Sequence, residues 1–155
     1  MSGPMAMSAA KSVTDIYYLA LVVWREARGA SREAQVAVAH SVLNRVARPS
    51  WWGKTLDEVV TKKWQYSSIA APGDPQLILW PRLSDATWLA ALGVAYDAIY
   101  GSEPNPFPGA DSYYDSSLKV PPAWATDAAF VGEVASPHGN SLRFYNVDHD
   151  FEKET

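Results

Sequence analysis

The feature that most constrains this chain is a run of apolar residues, Ile16 to Trp24, that ends abruptly in Arg25-Glu26-Ala27-Arg28-Gly29. The run is too short to cross a bilayer. It predicts a helix from about Asp15 to Arg28, with Thr14 as N-cap and Gly29 closing it in the left-handed conformation. Apolar nearly all round, this helix is expected to be the central buried one. Glu26 is the first carboxylate after Asp15, and it shares a face with Leu19, Val22 and Val23. It also falls in the last turn, where exposed carbonyls create a negative potential. Burial and that potential both raise a carboxyl pKa, whereas Arg25 or Arg28 lowers it if either swings close. A carboxyl held protonated near neutral pH is a general acid. The competing reading of Glu26 is a solvated end-of-helix residue.

Downstream, Ser31 caps a second helix whose inner face carries Val36, Ala39, Leu43 and Val46, and Pro49 ends it. His40 lies near that face and reads as a hydrogen-bonded packing residue. Thr55-Leu56-Asp57-Glu58 is a capping box, which predicts a short helix ending near Lys62-Lys63. Trp64 to Ser68 reads as an irregular loop whose aromatics, amide and hydroxyls suit sugar recognition. Ala71 to Pro81 wanders on the surface, with Leu77 to Trp80 packing back as a flap. Ser84 caps a long helix, Asp85 to Tyr100, with Trp88, Ala91, Leu92, Ala95 and Ile99 as its buried stripe and Gly101 as its end. Three prolines between Glu103 and Gly109 exclude helix and central strand there. After them the pattern turns extended, at Ser112 to Tyr114, Ala129 to Ala135 and Leu142 to Val147. The last two are expected to form a hairpin joined by the Tyr113 segment, with a short helix starting at Pro121-Pro122-Ala123-Trp124. Residues 1–12 read as a flexible arm or tag remnant, 13–147 as a single domain, and 148–155 as a charged tail.

Composition narrows the function. A chain of 155 residues with 48% hydrophobic and 19% charged content supports one globular core. No cysteine is present, so disulfides and thiol chemistry are out. A net charge of -4 with no basic run argues against nucleic-acid binding. No targeting segment and no membrane span is visible. His40, His138 and His149 are not at paired helical spacing, and Asp148-His149-Asp150 reads as solvated tail, so no metal or other cofactor is expected. No nucleophile elbow is present. The seven Trp and eight Tyr are the stronger clue. At least half should be core, and a minority should line a cleft where rings stack on sugars.

Several short pieces, in order, carry a resemblance. Glu26-Ala27-Arg28-Gly29, Gln35-Val36-Ala37-Val38-Ala39 and Asn44-Arg45 come first. Gln65-Tyr66-Ser67, Gly109-Ala110, Tyr113-Tyr114, Val120-Pro121, Trp124-Ala125 and Arg143-Phe144-Tyr145 follow. Together they resemble the catalytic domain of the spore-cortex-lytic cell-wall hydrolases and their phage endolysin relatives, over roughly Tyr17 to Tyr145. The resemblance implies a lysozyme-like α+β domain, mostly helical, with a small antiparallel sheet beside the cleft. It implies a lytic transglycosylase that cuts the MurNAc-GlcNAc bond of peptidoglycan glycan strands, with Glu26 as its catalytic residue and a 1,6-anhydro product. Gln65, Tyr66, Ser67 and Tyr113 become cleft residues, with the Tyr113 ring at the cleft rather than in the core. A monomer acting on the bacterial wall is expected. With no signal peptide visible, it would arrive through a separate membrane pore, in a virion, or by another export route.

One departure keeps the chemistry open. Where the family carries Thr-His before its aromatic, this chain has Asp111-Ser112. If Asp111 faces the cleft about 6.5–9.5 Å from Glu26, it could activate water, and the enzyme would be an inverting muramidase. If it caps a local turn, as Asp readily does, only the substrate's own hydroxyl is left as nucleophile. From another class, the domain could be a non-catalytic glycan-binding module or a structural piece of a virion.

Overall fold

The computed structural model describes residues 12–62, 65–70, 72–136 and 139–148, apart from the side chains of Ser67 and Ala70. The readings of the N-terminal arm, His138, His149 and the charged tail beyond Asp148 lie outside the described residues.

Five helices come first: α1 (Val13–Ala27), α2 (Arg32–Ala47), α3 (Leu56–Thr61), α4 (Ser67–Ala70) and α5 (Ala86–Tyr100). Helix α1 starts earlier than its apolar pattern predicts, because Ser12 rather than Thr14 is the N-cap. Ser12 Oγ accepts from the Asp15 amide while the Asp15 carboxylate accepts from the Ser12 amide. Only Ser12 has an acidic residue three places on to close this box; Thr14 is followed by Tyr17. At the far end Arg28 remains right-handed, and Gly29 is not left-handed as expected. The chain leaves the helix instead through a bond from the Ala30 amide to the Ala27 carbonyl.

Only the second half of α1 is core. Leu19, Ala20, Val22 and Val23 are fully buried, whereas Val13 and Tyr17 are exposed. The most enveloped helix is α2, not α1. Every residue from Ala34 to Leu43 is buried, because α1, α3 and α5 pack against it and strand β2 (Phe130–Ala135) covers it from another side. The Ala residues between its valines let those neighbours approach closely. His40 is the packing residue expected there, its Nε2 2.8 Å from the Glu103 carbonyl. The predicted caps of α2 at Ser31 and α3 at Thr55 are present. The N-cap of α5 falls one residue late, at Asp85 rather than Ser84, and the Asp85 carboxylate turns back to accept from the Arg82 amide. It ends at Gly101 with φ 82°, a conformation that favours glycine.

The sheet completes an α+β architecture. Strands β1 (Ser112–Asp115), β2 and β3 (Ser141–Tyr145) are antiparallel in the order β1-β3-β2, so the predicted hairpin is flanked by the Tyr113 strand. Tyr113 lies opposite Phe144, and Val134 opposite Leu142. Phe144 is fully buried, with its ring centroid 5.0 Å from that of Phe107 and 5.4 Å from that of Tyr113. Pairing slips between Phe130 and Gly132, and there the absent side chain of Gly132 makes room for the Phe107 ring. Pro121 to Trp124 is not helical. A proline following Pro121 disfavours helical geometry, and Thr126 instead caps a short 3₁₀ turn, Asp127–Ala129. The flap is half realised. Asp74 caps a 3₁₀ turn, Pro75–Ile78, and the Leu79 carbonyl is held against α1, yet Ile78 and Trp80 remain largely exposed. Aromatics also stay outside in greater number than composition suggests. Trp24, Trp52, Trp88 and Tyr145 are core, but Tyr17, Trp51, Tyr96 and Tyr100 face solvent.

Candidate active site

Glu26 projects from the last turn of α1 into a cleft. It shares a cavity of about 340 Å³ with Arg45, Gln65, Tyr66, Asp111, Tyr113 and Trp124. Solvent reaches its side chain from the cleft, while protein closes around it on the other sides. Burial therefore raises its pKa; the neighbouring Tyr113 phenol opposes the rise and the charge of Asp74 adds to it. The phenol is close to the carboxyl without forming a well-aligned hydrogen bond. Tyr113 Oη is buried and lacks a protein partner, and so is Tyr66 Oη. Burial, first, and the Glu26 charge hold the Tyr113 pKa well above its usual value, so it stays a proton donor. Two buried, unpartnered hydroxyls at a cavity wall are unusual in a folded protein and mark places where a ligand or water completes the bonding.

The two arginines beside Glu26 in sequence do not neutralise it. Arg25 is buried and donates to the Ser68 carbonyl at 2.9 Å and to the Leu79 carbonyl at 3.1 Å, with Trp80 beneath its guanidinium. Arg28 donates to Gln76 Oε1 at 2.8 Å and lies over Trp24. Both thus strap the 74–80 segment to the end of α1. The segment's Asp74 adds negative charge near Glu26, and neither arginine is among the groups that shift the Glu26 pKa.

Asp111 lines the cleft, but its carboxylate is committed elsewhere. It is 4% exposed. Its Oδ1 accepts from Ser112 Oγ at 2.9 Å and from the Val147 amide at 3.0 Å, and its Oδ2 accepts from the Asp148 amide at 3.1 Å. It ties the chain leaving β3 to the start of β1.

Of the remaining expected residues, Gln65, Tyr66 and Tyr113 converge on the same cavity. Gln65 holds its Oε1 toward Arg45 Nη1 at 3.1 Å. Tyr66 is buried behind it. Ser67 opens α4, and its side chain lies outside the described residues. Tyr113 corrects its expectation in part: the hydroxyl reaches the cleft wall, but the ring packs on Phe144 against the core.

Three contributors, Arg45, Trp124 and Asp74, escaped the residue-level reading. Arg45 is buried and donates to the Asp111 carbonyl at 2.7 Å, with Trp52 and Tyr66 rings 5.3 Å from its guanidinium. Its neighbour Asn44 donates to the Ala110 carbonyl at 2.7 Å, so the pair anchors the entry to β1. Trp124 stands edge-on to Tyr145 at the cleft wall. Asp74 is the third. Asn44-Arg45 and Trp124-Ala125 were already among the short pieces carrying the resemblance, which was the available signal; for Asp74 the sequence offered none. Among the described residues, no group of three His, Asp or Glu side chains is placed to hold a metal ion. No described helix is long and apolar enough to cross a membrane.

A carboxyl biased toward its protonated form, in a cleft walled by phenols, an indole and an amide, suits acid catalysis on a hydroxyl-rich polymer. The sequence profile of the Cell Wall Hydrolase family matches residues 29–135, well over half of the chain, and the protein belongs to that family. It is accordingly an enzyme acting on peptidoglycan in the cell wall. The matched stretch opens just after Glu26 and takes in Arg45, Gln65, Tyr66, Asp111, Tyr113 and Trp124. No curated protein and no solved structure matches the chain.

Proposed function

We propose that the protein is a lytic transglycosylase that cuts the MurNAc-GlcNAc bond with Glu26 as its single catalytic carboxyl. The observation that carries this reading is a contrast between two acids in one cleft. Glu26 faces the open space with its pKa raised by the protein packed around its other sides, whereas both oxygens of Asp111 are occupied by the backbone and by Ser112. An inverting mechanism requires a second carboxylate free to take a proton from water.

In the proposed reaction the Glu26 proton passes to the bridging oxygen as the bond between that oxygen and the muramoyl anomeric carbon breaks. The muramoyl 6-hydroxyl oxygen then bonds to the same carbon, and its proton returns to the Glu26 carboxylate. The acid is regenerated, no water is consumed, and a 1,6-anhydro sugar results. Acid-base assistance of this kind supplies about 10²- to 10⁴-fold. Gln65, Tyr66, Ser67 and Tyr113 would position the sugar's hydroxyl and amide groups, with the unpartnered phenols as donors. Mass spectrometry of digested peptidoglycan tests the product. Muropeptides one water lighter than their hydrated forms are expected; a digest holding only reducing, hydrated ends refutes the transglycosylase reading.

A further inference from the structure

Glu26 also borders a second cavity. This one, of about 200 Å³, is lined by Ala27, Gly29, Asp115, Ser136, Asn140 and Leu142, among others. It forms where the end of α1 meets one end of the sheet. Asp115 is the last residue of β1 and pairs with Leu142, while Ala135 pairs with Ser141 at the open end of the hairpin. The Ser136 amide donates to the Asn140 carbonyl at 2.7 Å, which turns both residues toward the same space.

The two cavities differ in chemistry. The larger holds the guanidinium, the phenols and the indole. The smaller holds no aromatic side chain in its lining and offers a carboxylate, a hydroxyl and an amide. Asp115 Oδ1 accepts from the Ser117 amide at 2.8 Å. Among the described residues, no hydrogen bond employs the Asn140 side-chain amide. A few polar groups converging on a concave wall are the equipment of a small-molecule subsite.

Gly29 adds a separate observation. It has no left-handed backbone to explain it, and a Cβ built there meets nothing within 4 Å. Its backbone requires no glycine, and the space beside it is open.

We infer that the smaller cavity is a second sugar subsite, so that the glycan strand crosses the Glu26 carboxyl with one saccharide in each cavity. This rests on the glycosidase reading above and adds to it a binding role for Asn140, Ser136 and Asp115. The subsite takes an uncharged pyranose, whose hydroxyls and acetamido group meet the Asn140 amide and the Asp115 and Ser136 oxygens. The anionic Asp115 disfavours a sugar bearing a free carboxylate, which directs the glucosamine-type unit rather than a free muramic acid to this side.

The test uses Glu26→Gln protein, which binds without turnover, and a purified tetrasaccharide of alternating GlcNAc and MurNAc followed by calorimetry. Adding Gly29→Leu fills the cavity from open space and is expected to weaken binding roughly tenfold or more, and Asn140→Ala roughly 3- to 10-fold, with melting temperature unchanged. Tetrasaccharide binding unaffected by Gly29→Leu overturns the subsite. So does an Asp115→Asn enzyme, otherwise wild type, that loses kcat with KM intact, since Asp115 would then be a second catalytic carboxylate. Product analysis separates the two levels. Hydrated products together with weakened binding in Gly29→Leu remove the transglycosylase chemistry and leave the subsite. Anhydro products together with unaffected binding remove the subsite alone.

Discussion

Replacing Asp111 by Asn separates the two mechanisms because they place the cost in different quantities. The substitution keeps shape but removes one acceptor. If the new amide keeps its oxygen toward the Val147 amide and Ser112 Oγ, its nitrogen must face the Asp148 amide, now 3.1 Å away, donor against donor. One charge-assisted bond is lost, a partly buried N–H is left unpaired, and the surviving bonds accept onto a neutral oxygen. Hydrogen bonds to charged groups contribute about 1.5–3 kcal/mol and an orphaned buried donor costs about 1–3 kcal/mol; since these overlap, the expected loss is about 2–4 kcal/mol. For a domain of this size that lowers Tm by roughly 5–15 °C. Wall-lysis turbidity, measured well below the variant's Tm and corrected to folded protein by circular dichroism, should remain close to wild type. The reasoning is refuted if Asp111→Asn melts like wild type and is as inactive as Glu26→Gln. In that case Asp111 would be the second carboxylate of an inverting muramidase.

The other predictions follow from the same geometry. Glu26→Gln should remove wall lysis while raising stability at neutral pH. The folded carboxyl binds its proton more tightly than the unfolded one, so native stability falls as pH rises from the ordinary carboxylate range through the raised Glu26 pKa. Thermal melts should show the Gln variant's advantage near neutral pH and its disappearance in acid; a Gln variant less stable than wild type at neutral pH contradicts the burial argument. Lysis rate should decline as pH rises through the same pKa, with Asp74→Asn moving that decline to lower pH, because a negative neighbour is removed; a pH-rate profile that does not move excludes Asp74 as a contributor. Tyr113→Phe should keep Tm within a small margin, since the ring packing on Phe144 survives and a buried unpartnered hydroxyl is removed, yet it should slow lysis. Full activity in Tyr113→Phe would remove the phenol from the site. Phe144→Ala should cost about 3–5 kcal/mol of stability by leaving a cavity beneath Phe107 and Tyr113, read as a lowered denaturant midpoint.

What the sequence determined by itself was whatever depends on near neighbours along the chain. Apolar periodicity placed α2 and α5, Thr55 with Glu58 marked the start of α3, Gly101 marked the end of α5, and alternation marked a hairpin after the prolines. The same locality explains the errors. Ser12 outcompeted Thr14 through a partner three residues on, and Gly29 was read as a conformational stop when no left-handed residue was required there. Glu26 was legible because the apolar turns that precede it sink the end of α1 into the core and leave the acid at its edge. Tertiary structure alone decided the electrostatics and the division of labour. Arg25 and Arg28 stand beside Glu26 in sequence but reach partners 43 to 54 residues away, carrying Asp74 toward the acid instead of neutralising it. Asp111 could not be assigned from its neighbours, because the amides that hold it lie 36 and 37 residues on, where β3 returns the chain. A carboxylate's proton affinity and availability depend on what surrounds it in space, and those surroundings here come from segments remote in sequence.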